Sequence, residues 1–120
     1  MIWIGSGSGL GDWEKVVVVL NGAGTSGGGT WQRFPDAWQE GQPEADPALV
    51  PPEGLVQPVR GFGKAWREQL GGPQASIGWA AAPEEGVPGT IQPYQGGTVL
   101  RLGDEQLLLV DSGRRWRAER

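Results

Sequence analysis

Short runs of β-branched, aliphatic and aromatic residues alternate with glycine-rich stretches along much of this chain. Runs of this kind, bounded by turn-forming residues, are typical of strands in antiparallel sheets. The predicted strands are residues 1–4, 16–20, 30–33, 90–94, 98–102, 106–110 and 114–118. The glycine-rich stretches 5–11 and 21–29 offer few side chains that could bind a ligand, so we expect flexible connections there.

Residues 34–41 have a helical pattern instead. Pro35 suits the first turn of a helix, Asp36 suits its positively polarised end, and Gly41 suits its termination. We therefore predict a short helix over this segment. Residues 42–58 follow with five prolines and no regular period, which predicts an extended strap over the surface.

A second helix is predicted at residues 59–70. Val59, Phe62, Trp66 and Leu70 recur at spacings of three and four residues, which places them on one helix face. We expect this face to be the centre of the core, with Phe62, Trp66 and Leu70 buried.

An internal repeat links the two ends of the chain. In residues 11–33, Gly-Asp is followed by four valines and then by Gly-Thr-Trp-Gln-Arg. In residues 103–117, Gly-Asp is followed by Leu-Leu-Leu-Val and then by Gly-Arg-Arg-Trp-Arg. The same order in both places indicates two related units, which would bury their apolar faces against each other or against the helix between them. The two hairpins should then superpose, with Trp31 and Trp116 in equivalent positions.

These elements predict an α+β fold, in which antiparallel strand hairpins from two related units pack around one or two short helices. A length of 120 residues fits a single domain, 1–120. Within that domain we assign a first repeat-like unit to residues 1–41, the proline-rich strap to 42–58, and the second repeat-like unit to 59–120.

Composition excludes several classes of protein. The 22 glycines and 10 prolines would suggest disorder, but seven tryptophans argue against it because disordered segments are poor in aromatic residues. A net charge of −4 provides no field that would attract nucleic acid, so no nucleic-acid partner is expected. No apolar run is long enough to span a membrane.

From residue 61 to residue 116 the sequence resembles an LGFP-type repeat, a module of bacterial secreted and cell-envelope proteins. The residues that carry the resemblance are Trp66, Leu70-Gly71-Gly72, Ile77-Gly78-Trp79-Ala80, Glu84 and Gln92-Pro93-Tyr94-Gln95-Gly96-Gly97-Thr98-Val99. Ala80 stands where the family has a proline, and Arg101 stands where it has a tryptophan, so the chain resembles a diverged member. The resemblance implies a secreted or cell-surface location and a repeat that anchors or binds without catalytic residues of its own.

When the LGFP-type pattern is aligned with the first unit, residues 1–3 correspond to residues 99–101. The Gln-x-aromatic-x-Gly-Gly motif that should precede residues 1–3 is absent. We therefore expect the chain to begin inside a truncated repeat, and any export signal to lie outside this sequence. A strand of Ile2, Trp3 and Ile4 would then present an uncovered sheet edge. We expect this edge, from Met1 to Ile4, to pair with residues 107–110 of the same chain or with another copy.

Candidate catalytic and metal-binding groups are few. The absence of histidine and cysteine removes Ser-His-Asp and Cys-His catalysis and most zinc sites. Glu84 or its neighbour Glu85 could face Asp104 or Asp111 across a glycosidase cleft, but no spacing forces these carboxylates together, and turns account for all four. The prediction is a chain that is not an enzyme and that has no cofactor and no metal site.

Aromatic residues are the remaining candidates for binding. Trp13 stands beside acidic residues at the edge of a loop, and Trp79 lies in a glycine-containing turn, so both are expected to be exposed. Tyr94 and Glu84, which lie in the motifs of the resemblance, complete the predicted ligand-binding set. Two functions stay open: a binding module for a glycan or cell-wall polymer, and a structural unit that oligomerises through the edge at residues 1–4.

Overall fold

The computed structural model describes residues 1–4, 13–22, 29–86 and 89–119. This part of the chain is mostly β-structure with one short α-helix, which confirms the antiparallel α+β class. The strands are β1 (Ile2–Ile4), β2 (Val16–Asn21), β3 (Gly29–Pro35), β4 (Gly89–Tyr94), β5 (Gly97–Leu102), β6 (Glu105–Val110) and β7 (Arg115–Glu119). The helix α1 (Arg60–Ala65) continues directly into a π-helical turn, Trp66–Leu70. Most of the two glycine-rich connections predicted to be flexible lies outside the described residues.

The seven described strands form one sheet in the order β1-β2-β3-β7-β6-β5-β4. The pairs β4–β5, β5–β6, β6–β7 and β3–β7 are antiparallel. Two-residue loops close the first two of these pairs, because Tyr94 pairs with Gly97 and Leu102 pairs with Glu105. All seven strands predicted from the sequence are therefore present, with bounds that differ by one or two residues.

The chain forms two compact units, and the first consists of Met1–Val17 and Phe34–Glu85. Trp66 is its most deeply buried large side chain, and the indole nitrogen of Trp66 donates a hydrogen bond to the Gly78 carbonyl at 2.9 Å. Trp13 and Val17 are also buried in this unit. The prediction that Trp66 belongs to the core is thus confirmed.

The rest of the predicted helix face is not buried as expected, since Phe62 and Leu70 are only half-buried. The helix packs instead through its small residues: Gly61, Gly63 and Ala65 are buried. The π-helical turn Trp66–Leu70 accounts for the difference at Leu70, whereas Phe62 lies before it in α1. A π turn contains more residues than an α turn, so a spacing of four no longer returns to the same face.

The helix predicted at residues 34–41 is absent, and that prediction is wrong. Strand β3 continues through Pro35, and residues 36–39 are irregular. The Asp36 carboxylate accepts one hydrogen bond from the Trp38 amide at 3.1 Å and another from the Trp3 indole at 2.8 Å. A side chain that bonds the backbone two residues ahead offers an alternative to the helical pattern. Residues 42–58 form neither helix nor strand, apart from one isolated bridge between Val56 and Ala80, but turns interrupt the extended strap that was predicted there.

The second compact unit consists of Val18–Arg33 and Gly86–Arg120. Trp31 is 2% exposed, and its indole nitrogen donates to the Val110 carbonyl at 2.9 Å. The Arg114 guanidinium lies 4.4 Å from the centre of the Trp31 ring. Trp116 is half-buried, and its indole nitrogen donates to the Asn21 carbonyl at 3.1 Å.

Strand β1 does not pair with residues 107–110, so that prediction is wrong. Strand β6, which contains those residues, has β5 on one side and β7 on the other, and both edges of its backbone are therefore occupied. Strand β1 is the neighbour of β2 and ends the strand order on that side.

Candidate functional site

The four side chains predicted to bind a ligand have different surroundings. Trp13 is only 6% exposed, so the expectation that it is exposed at a loop edge is wrong. Trp79 is half-buried, and its ring packs against that of Trp66 with the ring centres 5.2 Å apart. Tyr94 is 62% exposed at the end of β4, and Glu84 forms an ion pair with Arg60. In the described part of the chain, no hydrogen bond, ion pair or ring contact joins any two of Trp79, Glu84 and Tyr94.

A groove in the first unit is lined by residues that suit a ligand better than these four separate side chains do. Its volume is about 330 Å³, which is within the range of small-molecule sites. One wall is the loop that follows β3, and the other is the surface of α1 and its π-helical turn. The lining residues are Trp38, Gln42, Pro43, Ala45, Asp46, Pro47, Lys64, Arg67 and Glu68. The groove therefore combines one large aromatic ring with prolines and with charges of both signs.

Hydrogen bonds within the loop hold Trp38 in the groove wall. The indole nitrogen of Trp38 donates to the Pro43 carbonyl at 3.1 Å, and its backbone amide donates to Asp36 at 3.1 Å. Between them, the Gln39 amide donates to the Gln42 side-chain oxygen at 2.9 Å. The ring is half-buried. Because the polar edge of the indole is satisfied inside the loop, the ring is positioned before any ligand arrives.

The side-chain amide of Gln57 fixes the next part of the loop. Its oxygen accepts from the Asp46 amide at 2.9 Å, and its nitrogen donates to the carbonyls of Asp46 and Leu49 at 2.9 and 3.0 Å. The Asp46 carboxylate accepts from the Ala48 amide at 2.9 Å, which forms a tight turn. This wall is irregular in secondary structure but is closely cross-linked.

The opposite wall presents Lys64, Arg67 and Glu68, whose spacings of three and four residues bring them together on the helix surface. Lys64 and Glu68 form an ion pair at 2.8 Å. The side chain of Arg67 forms no hydrogen bond or ion pair with any residue that the structure describes. One of its terminal nitrogens, Nη1, is inaccessible to solvent and lacks an acceptor.

None of the groove residues was predicted to be functional from the sequence. The sequence predicts Trp38 in a helix that does not form, and it predicts residues 42–58 only as an extended strap. The pattern of Lys64, Arg67 and Glu68 was visible as a charged helix surface, but nothing in the sequence aligned it with a tryptophan about 26 residues earlier. The signal that could have been used is Trp38 followed by Pro43 and Pro47, since rigid loops with an aromatic residue often line binding sites.

Among the described residues, no group of three or more acidic side chains is arranged to hold a metal ion. Within the same part of the chain, no helix is long and apolar enough to cross a membrane.

Comparison of the chain with protein-family models, with curated proteins and with solved structures gives no match. The resemblance to LGFP-type repeats therefore stays a prediction.

Proposed function

We propose that this chain is a non-catalytic binding module for a glycan or cell-wall polymer, carried by an exported bacterial protein, and that it binds through the groove beside Trp38. The observation that carries the proposal is that hydrogen bonds within the loop fix Trp38 in the groove wall, among polar side chains. A sugar ring has one flat apolar face and a rim of hydroxyl groups, so it suits an aromatic surface flanked by hydrogen-bonding side chains. Asp46, Lys64, Arg67 and Glu68 supply such side chains along the groove.

Titration with soluble oligosaccharides tests the proposal. Trp38→Ala should weaken binding by about tenfold or more, because truncation of an aromatic anchor costs on the order of 2 kcal/mol. Tyr94→Ala, at the exposed end of β4 in the second unit, serves as the matched control and should leave the affinity unchanged. Calorimetry would measure both, with circular dichroism to check the fold. Equal losses in the two variants, or a loss in Tyr94→Ala alone, would contradict the assignment to the groove.

A second function, assembly through β1, is favoured by the strand order. If the chain consists of two related units, β1, β2 and β3 correspond to β5, β6 and β7. In the sheet order β1-β2-β3-β7-β6-β5-β4, the three strands of one unit are then followed by the corresponding strands of the other unit in reverse order. Strand β4 is an additional strand beyond β5.

Two hydrogen bonds support this relation between the units. Trp31 in β3 donates to the last residue of β6, Val110, and Trp116 in β7 donates to the last residue of β2, Asn21. The strand of Trp31 follows β2 along the chain, and Trp31 binds the end of β6, which corresponds to β2. In the same way, the strand of Trp116 follows β6, and Trp116 binds the end of β2. By this relation β1 takes the place of β5 but has no strand in the position of β4 among the described residues, and a second copy of the chain could supply one.

Light scattering after size-exclusion chromatography tests the second function. An assembling chain should elute as a defined oligomer at about 100 μM, and deletion of residues 1–4 should reduce it to a monomer. Val50→Ser, which removes an apolar side chain that is 78% exposed, is the control for nonspecific adhesion and should leave the mass unchanged. A parent chain that is monomeric under these conditions would exclude assembly through β1.

A further inference from the structure

We propose that the groove selects glycans that carry a negative charge, and that Arg67 recognises their carboxylate or phosphate group. This inference rests on the proposed function and specifies the class of ligand. It follows from the state of the charged groups that line the groove.

Three of the four charged side chains in the groove already have a polar partner. Lys64 and Glu68 pair with each other at 2.8 Å, and Asp46 accepts a hydrogen bond from the amide of Ala48. Arg67 is the exception, because no described residue accepts a hydrogen bond from its side chain or forms an ion pair with it. Its guanidinium is therefore the cation in the groove whose charge has no counter-ion within the described structure.

The guanidinium of Arg67 also carries a desolvation cost. The accessible area of Nη1 is less than 1 Å², and that nitrogen has no acceptor. Buried donors are nearly always paired in folded proteins, and an uncompensated charge that has lost part of its hydration favours an anion nearby. Nη1 itself is out of reach of a ligand, so an anionic ligand in the groove would compensate the charge through the other two guanidinium nitrogens, Nε and Nη2, which are not buried.

Local structure accounts for the position of Arg67. A side chain at Gly63 would place its Cβ 2.9 Å from Nη1, so the absence of one at that position leaves room for the guanidinium against the helix. Arg67 also lies in the π-helical turn, a form that is rare and that occurs often at functional sites. The guanidinium is thus held on the same wall as Lys64, opposite the loop that contains Trp38.

The chemistry of the two walls defines the ligand. A guanidinium presents parallel N–H donors that match the two oxygens of a carboxylate or phosphate. Trp38 presents a ring that can pack against a sugar. A ligand that uses both features is an acidic oligosaccharide, with sugar rings along the loop and an anionic group at Arg67.

Three probes of matched length test the inference: a galacturonate hexamer that carries carboxylates, a sugar-phosphate oligomer, and neutral chitohexaose. Calorimetry at low salt should give an affinity for at least one acidic probe that is about tenfold or more above that for chitohexaose, as expected for a hydrogen bond to a charged group. The stronger of the two acidic probes identifies the anionic group. The preference should fall as salt is raised.

Three variants assign the preference to a residue. Arg67→Gln should bring the affinities for the acidic probe and for chitohexaose to within about twofold of each other. Arg67→Lys should retain part of the preference for the acidic probe, because the charge remains but the paired donors are lost. Arg60→Gln is the matched control, since Arg60 pairs with Glu44 and Glu84 and does not line the groove, and the preference should persist. Circular dichroism would show that each variant is folded.

The outcomes separate this inference from the proposed function. If acidic and neutral probes bind equally, or if Arg67→Gln keeps the full preference, the inference is wrong while the binding function stands. If no probe binds at millimolar concentration and Trp38→Ala changes nothing, the proposed function fails as well.

Discussion

Replacement of Trp66 by alanine is the most direct test of how the first unit is held together. The side chain is completely buried, its indole nitrogen donates to Gly78, and its ring contacts that of Trp79. Truncation removes these contacts and leaves a cavity, which for a buried aromatic residue costs about 3–5 kcal/mol. This is a large part of the 5–15 kcal/mol that typically stabilises a whole domain.

The expected change in Tm follows from the size of the chain. For a protein of this length each kcal/mol corresponds to about 4 °C, so Trp66→Ala should melt about 12–20 °C below the parent chain. Far-UV circular dichroism is the suitable assay, because it does not depend on the fluorescence of the tryptophan that is removed.

A second substitution separates packing from hydrogen bonding. Trp66→Phe keeps much of the ring volume but removes the N–H donor, so its loss should be nearer 1–2 kcal/mol, on the order of a hydrogen bond and a small cavity. Trp38→Ala, at the half-buried groove wall, should cost less than Trp66→Ala. If Trp66→Ala melts within about 2 °C of the parent, the assignment of Trp66 to the core is wrong.

Further outcomes are expected elsewhere in the chain. A Cβ at residue 29 would overlap the Trp116 indole, so Gly29→Ala should destabilise the protein by about 1–3 kcal/mol. At Gly86 a Cβ would meet nothing within 4 Å, so Gly86→Ala should change the stability by less than about 0.5 kcal/mol. Equal denaturation midpoints for the two variants would contradict the close approach at residue 29. Trp31→Phe should cost about 1 kcal/mol, since it loses its hydrogen bond to a backbone carbonyl, and an unchanged urea midpoint would argue against that bond. The chain should not hydrolyse generic ester, peptide or glycoside substrates, and turnover that Glu84→Gln abolishes would overturn the non-enzymatic function.

The strands were predictable because the information that defines them is local. Each short apolar run is bounded by turn residues, and two-residue loops such as Gly103-Asp104 connect adjacent strands directly. Gly103 has a φ of +59°, a conformation that glycine adopts without steric cost. The hairpin neighbour of each of these strands is therefore set by a short local connection.

The errors arise where distant contacts or an unusual helix geometry override a local pattern. Asp36 is a residue type that suits the first turn of a helix, but its carboxylate accepts a hydrogen bond from the indole of Trp3, 33 residues earlier in the chain. The spacing of Phe62, Trp66 and Leu70 assumes an α-helix throughout, and the π-helical turn from residue 66 changes the face that Leu70 occupies relative to Trp66. Acidic neighbours suggested an exposed Trp13, yet charged residues next to a tryptophan in sequence do not determine the burial of its ring.

The burial of the ring, taken together with the partner of its indole nitrogen, distinguishes Trp38 from Trp66 and Trp31. Trp66 and Trp31 donate to backbone carbonyls 12 and 79 residues away, and both rings are buried. A distant partner alone does not bury a ring, since Trp3 bonds Asp36, 33 residues away, and is 49% exposed. Trp38 donates to a carbonyl only five residues away, so its polar edge is satisfied within one loop and its ring need not enter the core. A locally satisfied indole can line a groove without the cost of an unpaired donor. Trp38 lines the groove and bonds within its own loop, whereas Trp66 and Trp31 are buried in the core, and these differences together assign ligand contact to Trp38 and structural roles to Trp66 and Trp31.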